Sequence, residues 1–263
     1  MSTIHGGVDR VSKPRIGILG AMDEEVRRLR DSVGSNRIET SGRRPYVLGE
    51  IAGHPMALAF SRWGKVAAAS TATTMIERFG VEKIVFIGVA GAVDPTLSIG
   101  DVVVASSLVH HDLDARPFIK RYEVPLLELV EIPTDPKLSS VAESAAAEVL
   151  GSDLERLVSE AERRRFGIET PAARRGMVAS GDRFIADPTE IERLRLDLPR
   201  VLAVEMEGAA VAQVCFEHGV PCAVIRTISD RADHAAPVDF GAFVSDIASR
   251  FGEQLVRRMF EKL

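Results

Sequence analysis

The chain has 263 residues, 46% apolar and 27% charged, with 33 lysines and arginines against 38 aspartates and glutamates. This composition excludes intrinsic disorder, and the net charge of −5 argues against a surface built to hold nucleic acid or anionic lipid. Two cysteines, Cys215 and Cys222, are too few for a disulfide scaffold or a cysteine zinc site, so a reduced, cytoplasmic protein is expected.

Residues 1–13 are polar and glycine-bearing and read as a flexible lead-in to one domain spanning 14–263. Arg15–Leu19 reads as a first buried strand. The apolar stretch Ile16–Met22 is too short for a secretory signal and runs straight into Asp23, Glu24 and Glu25. Tyr46–Ile51 and Pro55–Ser61 form an expected hairpin around Gly53, and Val66–Phe79 has helical composition. Lys83–Gly88 and Asp101–Val109 read as buried strands. The longest apolar run, Ile84 to Val93, is ten residues, half of what a membrane-spanning helix needs. Lys137–Leu150 and Asp153–Arg165 read as helices broken at Gly151-Ser152, the run Glu160–Arg165 being a solvated face. Further strands are expected at Gly176–Ala179, Val201–Val204 and Ala223–Ser229. The last helix carries Phe240, Phe243, Val244, Ile247, Phe251, Leu255 and Met259 at three- and four-residue steps, with Asp239 as its expected N-cap. Strands alternating with amphipathic helices make this an α/β protein.

Chemistry-bearing residues gather where strands end. Gly20-Ala21-Met22-Asp23-Glu24-Glu25 follows the first strand; its carboxylates either compensate the helix dipole or supply a general base. The spacing is not that of a dinucleotide-binding turn, and three acids there would repel a pyrophosphate. Gly88-Val89-Ala90-Gly91 is either a tight turn or a point of close ligand approach. Ser180-Gly181-Asp182-Arg183-Phe184-Ile185 follows another strand. Glu205-Met206-Glu207 puts two carboxylates at a strand-to-helix junction, where burial is costly unless they are paired. Arg226-Thr227-Ile228-Ser229-Asp230 ends on residues that could cap a helix or act in acid catalysis. Adjacent His110 and His111 point apart along a strand, and no cluster has metal-ligand spacing. Acids at several strand ends without a metal set point to acid–base chemistry on a small neutral ligand.

In this order, IGILGAMDEEV (16–26), GKVAAA (64–69), GVAGAVDPTLSIGDVVV (88–104), SGDRFI (180–185), AVEMEGAAVAQVC (203–215) and VIRTISDRAD (224–233) resemble the 5′-methylthioadenosine/S-adenosylhomocysteine nucleosidases of the nucleoside phosphorylase/hydrolase superfamily. The resemblance implies a three-layer α/β/α sandwich with a mixed, partly barrel-like central sheet. It implies hydrolysis of an N-glycosidic bond with no metal or organic cofactor. By that resemblance Glu25 activates the attacking water and Asp230 is the acid at purine N7, held by Ser229 and Arg226. Glu207 accepts the ribose hydroxyls beside Glu205, with Met206 packing on the sugar. Phe184 stacks on adenine, and the backbone of Ile185 reads its edge.

Residues 111–118 resemble a segment that reaches into a neighbouring subunit's site, so a homodimer is expected with Phe118 closing the partner's pocket. Trp63 stands where the nucleosidases carry a smaller residue, which predicts a narrowed 5′ subsite favouring methylthioadenosine, or else packing against the hairpin. Related phosphorylases place an arginine and a serine on phosphate at positions that here hold Phe86 and Val89, and the nucleosidases themselves usually carry a hydroxyl residue at the latter. Arg62 and Lys65 keep a phosphorylase alternative open, and a non-catalytic nucleoside-binding protein on the same scaffold is the other. Residues 150–172 resemble an insertion relative to compact members.

Overall fold

A computed structural model describes residues 14–34, 36–230 and 236–263, the stretch 236–239 by its backbone alone; the expected lead-in over 1–13 lies outside the described residues. The elements run β1 (Ile16–Gly20), α1 (Asp23–Ser32), β2 (Arg37–Ser41), β3 (Arg44–Ile51), β4 (His54–Phe60), α2 (Lys65–Glu77), β5 (Lys83–Ala92), β6 (Val102–His110) and β7 (Ile132–Pro133). There follow α3 (Pro136–Glu148), α4 (Leu154–Leu157), α5 (Glu160–Phe166), β8 (Ala173–Ser180), α6 (Pro188–Asp197), β9 (Val201–Glu205), α7 (Gly208–Glu217), β10 (Cys222–Asp230), α8 (Ala236–Phe243) and α9 (Ser249–Phe260).

One sheet runs β10-β6-β8-β9-β5-β1-β4-β3-β2, and β10 also pairs with β5. That extra pairing closes β5, β9, β8, β6 and β10 into a five-stranded ring, from which β1, β4, β3 and β2 extend as an open arm. The ring mixes parallel pairs (β5–β10, β6–β8, β8–β9) with antiparallel ones (β6–β10, β5–β9). Strands β1 and β10 are buried along their whole length, as expected of strands covered on both faces. Side chains alternate between two cores: Val85 and Ile87 meet Leu29, Phe251 and Leu255 on one side, while Ile84 and Phe86 meet Ala68, Met75 and Val211 on the other. The architecture is the layered α/β/α arrangement with a barrel-like sheet that the motifs imply. Among the described residues no helix is long and apolar enough to cross a membrane.

Several local expectations change. Gly151-Ser152 does not break the helix: Val149–Asp153 forms a single π-helical turn joining α3 to α4. Val149, Leu150 and Asp153 of that turn are buried, and Asp153 accepts hydrogen bonds from Arg258 (3.0 Å) and Gln254 (3.1 Å) of α9. Packing thus outweighs the low helix propensity of Gly-Ser. The break falls instead at Val158-Ser159, where the Ser159 hydroxyl and the Glu162 carboxylate cap α5 reciprocally. Asp239 lies inside α8 rather than capping it, and a second π-helical turn, Val244–Ala248, carries α8 into α9.

Candidate active site

The carboxyl ends of β1, β8, β9 and β10 and the last residues of β5 surround a cavity of about 350 Å³. Ten of the expected residues line it: Glu25, Trp63, Val89, Phe184, Ile185, Glu205, Met206, Glu207, Ser229 and Asp230. Arg226 lies beneath the cavity, and Phe118 lies elsewhere on the surface.

Glu25 is buried in the first turn of α1. Its Oε2 accepts hydrogen bonds from the backbone N–H groups of Ala21 (2.6 Å) and Met22 (3.0 Å), and its Oε1 from that of Val89 (3.1 Å). These donors belong to a strand-to-helix turn and to β5, the kind of site where free N–H groups hold an anion. Here the protein's own carboxylate fills that cradle. Gly88 makes the approach possible, since a Cβ there would stand 2.8 Å from Glu25 Oε1. Burial raises the Glu25 pKa, opposed by the Arg226 charge and the three backbone donors.

The two acids of the Glu-Met-Glu motif have different environments. Glu205 is saturated: Oε2 takes Arg226 Nη2 (2.8 Å) and Nε (3.2 Å), and its oxygens also accept from the Gly208 and Glu207 amides and the Ser180 hydroxyl. The same Ser180 oxygen accepts from the Ala209 amide (2.7 Å), so these groups together satisfy the start of α7. Arg226 is 1% exposed and stacks over the Phe86 ring at 4.0 Å. Arg226, expected beside Asp230, forms its ion pair with Glu205 and faces Phe86 of the adjacent β5. Glu207 instead accepts one hydrogen bond, from the Gly64 amide at 2.7 Å. Its burial and the neighbouring Glu205 charge hold its pKa well above the ordinary carboxylate range. Ser229 donates to Asp230 Oδ2 at 2.7 Å.

A polar clasp missed by the sequence reading fixes one wall. Lys65 Nζ lies 2.5 Å from Asp112 Oδ1 and 3.7 Å from Asp182 Oδ2; Asp182 accepts from the Lys65 amide (2.8 Å), and Asp112 from the Asp182 amide (2.9 Å). This joins the start of α2, the end of β6 and the segment carrying Phe184 and Ile185. Gly64, at φ 92°, delivers its N–H to Glu207 from a conformation that suits glycine, which is the signal the sequence offered. Phe184 is half exposed and meets Phe240 edge-on, with centroids 5.9 Å apart. Trp63 is 66% exposed and stands at the rim, a side wall rather than a plug. Phe118 is 91% exposed, which excludes an ordinary core role within this chain. His110 is buried with Nε2 on Gln213 (3.0 Å), while the His111 ring packs against Gly181, so the two rings do diverge.

Four carboxylates and one cation, the surface-paired Arg183, line the cavity among the described residues. Such a site suits an uncharged small molecule that becomes cationic as it reacts. The chain matches the phosphorylase superfamily model over residues 15–261. It is 35% identical to the 5′-methylthioadenosine/S-adenosylhomocysteine nucleosidase of Pseudoalteromonas translucida, covering 94% of this chain and 97% of that one. The Neisseria meningitidis nucleosidase of the same name, solved with methylthio-immucillin-A, superposes with a TM-score of 0.82 at 32% identity, covering 95% and 99% of the two chains. The Helicobacter pylori futalosine hydrolase gives a TM-score of 0.81 at 33% identity over the same shares. The chain belongs to the phosphorylase superfamily and, within it, to the 5′-methylthioadenosine/S-adenosylhomocysteine nucleosidase family.

Proposed function

We propose that this chain hydrolyses the N-glycosidic bond of 5′-methylthioadenosine and S-adenosylhomocysteine, releasing adenine and the thioribose. The observation that carries hydrolysis over phosphorolysis is the occupied cradle. The three N–H groups that an external phosphate would need are held by Glu25, whose charge would also repel it. The two positions that would hold phosphate carry Phe86, buried under Arg226, and Val89, which offers only its amide. Lys65 is committed to Asp112 and Asp182, and Arg62 does not line the cavity.

In the reaction, Asp230 delivers a proton to N7 of adenine, with Ser229 fixing Oδ2, so that the base departs as a neutral molecule rather than an N9 anion. The C1′–N9 bond breaks as the sugar gains oxocarbenium character, which the carboxylates around it stabilise. Glu25 accepts a proton from the water whose oxygen bonds C1′. Glu207 receives the ribose hydroxyls and Met206 packs on the sugar; Glu205, tied to Arg226, holds the segment that carries both. Phe184, braced by Phe240, stacks on adenine, and the Ile185 backbone reads its edge. The chemistry calls for neither metal nor organic cofactor.

The same reading treats residues 14–263 as one domain, supported by ring strands drawn from both halves of the chain. It places the chain in a homodimer, supported by Phe118 and Leu126 standing exposed on one segment between β6 and β7. It locates the enzyme in the cytoplasm, in keeping with two free cysteines, and its reaction in methionine salvage. Adenine release from methylthioadenosine, measured with and without phosphate, is the test. Release independent of phosphate is expected; strict dependence on phosphate would make it a phosphorylase, and binding without release a nucleoside-binding protein.

A further inference from the structure

Ser180 is fully buried and ends β8, where its partner across the ladder is Glu205, the last residue of β9. Beyond this rung the two strands part. One runs into residues 181–185, which carry Phe184, and the other into Met206 and Glu207. The Ser180 hydroxyl spans the parting: it donates to Glu205 Oε1 and accepts from the Ala209 amide at 2.7 Å. A hydroxyl is the smallest side-chain group that can do both at once. Beside it the Gly181 amide donates to the Glu205 carbonyl at 3.1 Å. Ser180 itself does not line the cavity.

We propose that Ser180 is a positioning residue for the reaction, the buried joint that keeps the base-binding and sugar-binding segments of the cavity in register. The inference rests on the nucleosidase reading and deepens it, giving a residue outside the cavity a share of substrate affinity. Glu205 fixes the Glu207 and Gly208 amides, at 3.1 and 2.8 Å, and so sets where the Glu207 carboxylate stands. The Glu205 carboxylate is held in turn from two sides. Arg226 ties it to β10, and among the described residues Ser180 alone ties it to β8, the strand that leads to Phe184. Without the hydroxyl, a buried carboxylate oxygen and the Ala209 amide both lose the atom they share, and the two segments can slip past each other. Glu25 and Asp230 keep their own partners, the Ala21, Met22 and Val89 amides and the Ser229 hydroxyl. The effect therefore falls on substrate binding and spares the chemical step.

The test is a pair of double-mutant cycles on adenine release from methylthioadenosine, with Ser180→Ala alone and combined with Phe184→Ala or Glu207→Gln. Ser180→Ala is expected to raise KM about five- to thirtyfold, the range for a buried hydrogen bond lost at a charged group, with kcat within about threefold. In each of the other two backgrounds the same substitution should cost less than about threefold, because aligning two grips matters only while both hold. A residue serving stability alone would cost the same in every background. Additive losses in either cycle, or a fall in kcat with KM unchanged, would overturn the proposal. Should circular dichroism show Ser180→Ala unfolded, Ser180→Cys, with a weaker hydrogen-bonding atom in the same place, enters both cycles under the same criteria. Failure of the unaltered chain to release adenine from methylthioadenosine would instead overturn the nucleosidase reading itself.

Discussion

Replacing Glu25 by glutamine separates its proposed role as a base from its place as the anion that satisfies a cradle of amides. The amide oxygen can keep the Ala21 and Met22 donors at 2.6 and 3.0 Å, but its NH₂ then faces the Val89 N–H, donor against donor. One buried N–H left unsatisfied costs about 1–3 kcal/mol, partly offset because a charge is no longer held out of water. Stability should therefore fall by no more than about 3 kcal/mol in urea unfolding. Loss of the base lowers the rate ~10²–10⁴-fold, or about 3–5 kcal/mol of barrier, while nucleoside affinity survives. In Glu25→Ala the cradle stands open, and added formate should restore part of the turnover by entering it. The pH profile supplies a second check. Because burial raises the Glu25 pKa, the base is lost by protonation as pH falls through that raised value, so the acid limb of kcat/KM should lie above the ordinary glutamate range. Turnover of Glu25→Gln within tenfold of the unaltered enzyme would refute this reasoning.

Asp230→Asn should reduce adenine release ~10²–10⁴-fold with an unchanged circular dichroism spectrum, since the amide is nearly isosteric but cannot deliver the proton; near-normal turnover would remove Asp230 from the mechanism. Lys65→Met cuts the clasp between α2, Asp112 and Asp182, a loss of about 1–2 kcal/mol in holding the Phe184 segment, so KM should rise about 5–30-fold with kcat little changed. Lys65→Arg should recover most of that loss, and a fall in kcat alone would contradict a positioning role. For Glu207 the folded pKa lies above the unfolded one, so the folded chain binds the extra proton and stability declines as pH rises from the ordinary carboxylate range towards the raised value. Glu207→Gln should make that decline shallower in melts run at pH 5 and pH 8, and parallel curves for the two proteins would count against it.

Much of this was readable beforehand because buried strands advertise themselves. Ile84–Phe86 and Ala223–Ile225 are apolar runs that only a two-sided core requires, and each became part of a ring strand. The sequence was silent where structure depends on partners. Arg37–Ser41 is an edge strand of mostly polar, exposed residues, formed by pairing with β3 rather than by its own pattern. At the start of α6, for which the sequence analysis sets no helix, the Asp187 carboxylate accepts from the Thr189 amide at 2.8 Å and Pro188 opens the first turn. In the site, the carboxylates could be picked out from their positions after strands. Which of Glu205 and Glu207 would pair with Arg226 could not, because that depends on how the ring brings β9 and β10 to one end of the barrel. The Lys65 clasp was hidden for the same reason, its three members being distant in sequence and joined only by closure.

That ring acts as a hoop. The strands that present Asp230, Glu205, Glu207 and the Phe184 segment are bonded to a neighbour along both edges, so the spacing of these groups is set by a closed circumference rather than by loops. The open arm ends at β2, whose outer edge no strand covers among the described residues. Unravelling should therefore begin at that tip and travel inward through β3 and β4, with the hoop the last part to give way; in amide exchange β2 should lose its protons first and β5 and β10 last. A cut or an inserted sequence at the β2–β3 turn then falls on the expendable end of the sheet, whereas a break in any hoop strand would release the tension that keeps the ends of β8, β9 and β10 in register around the cavity.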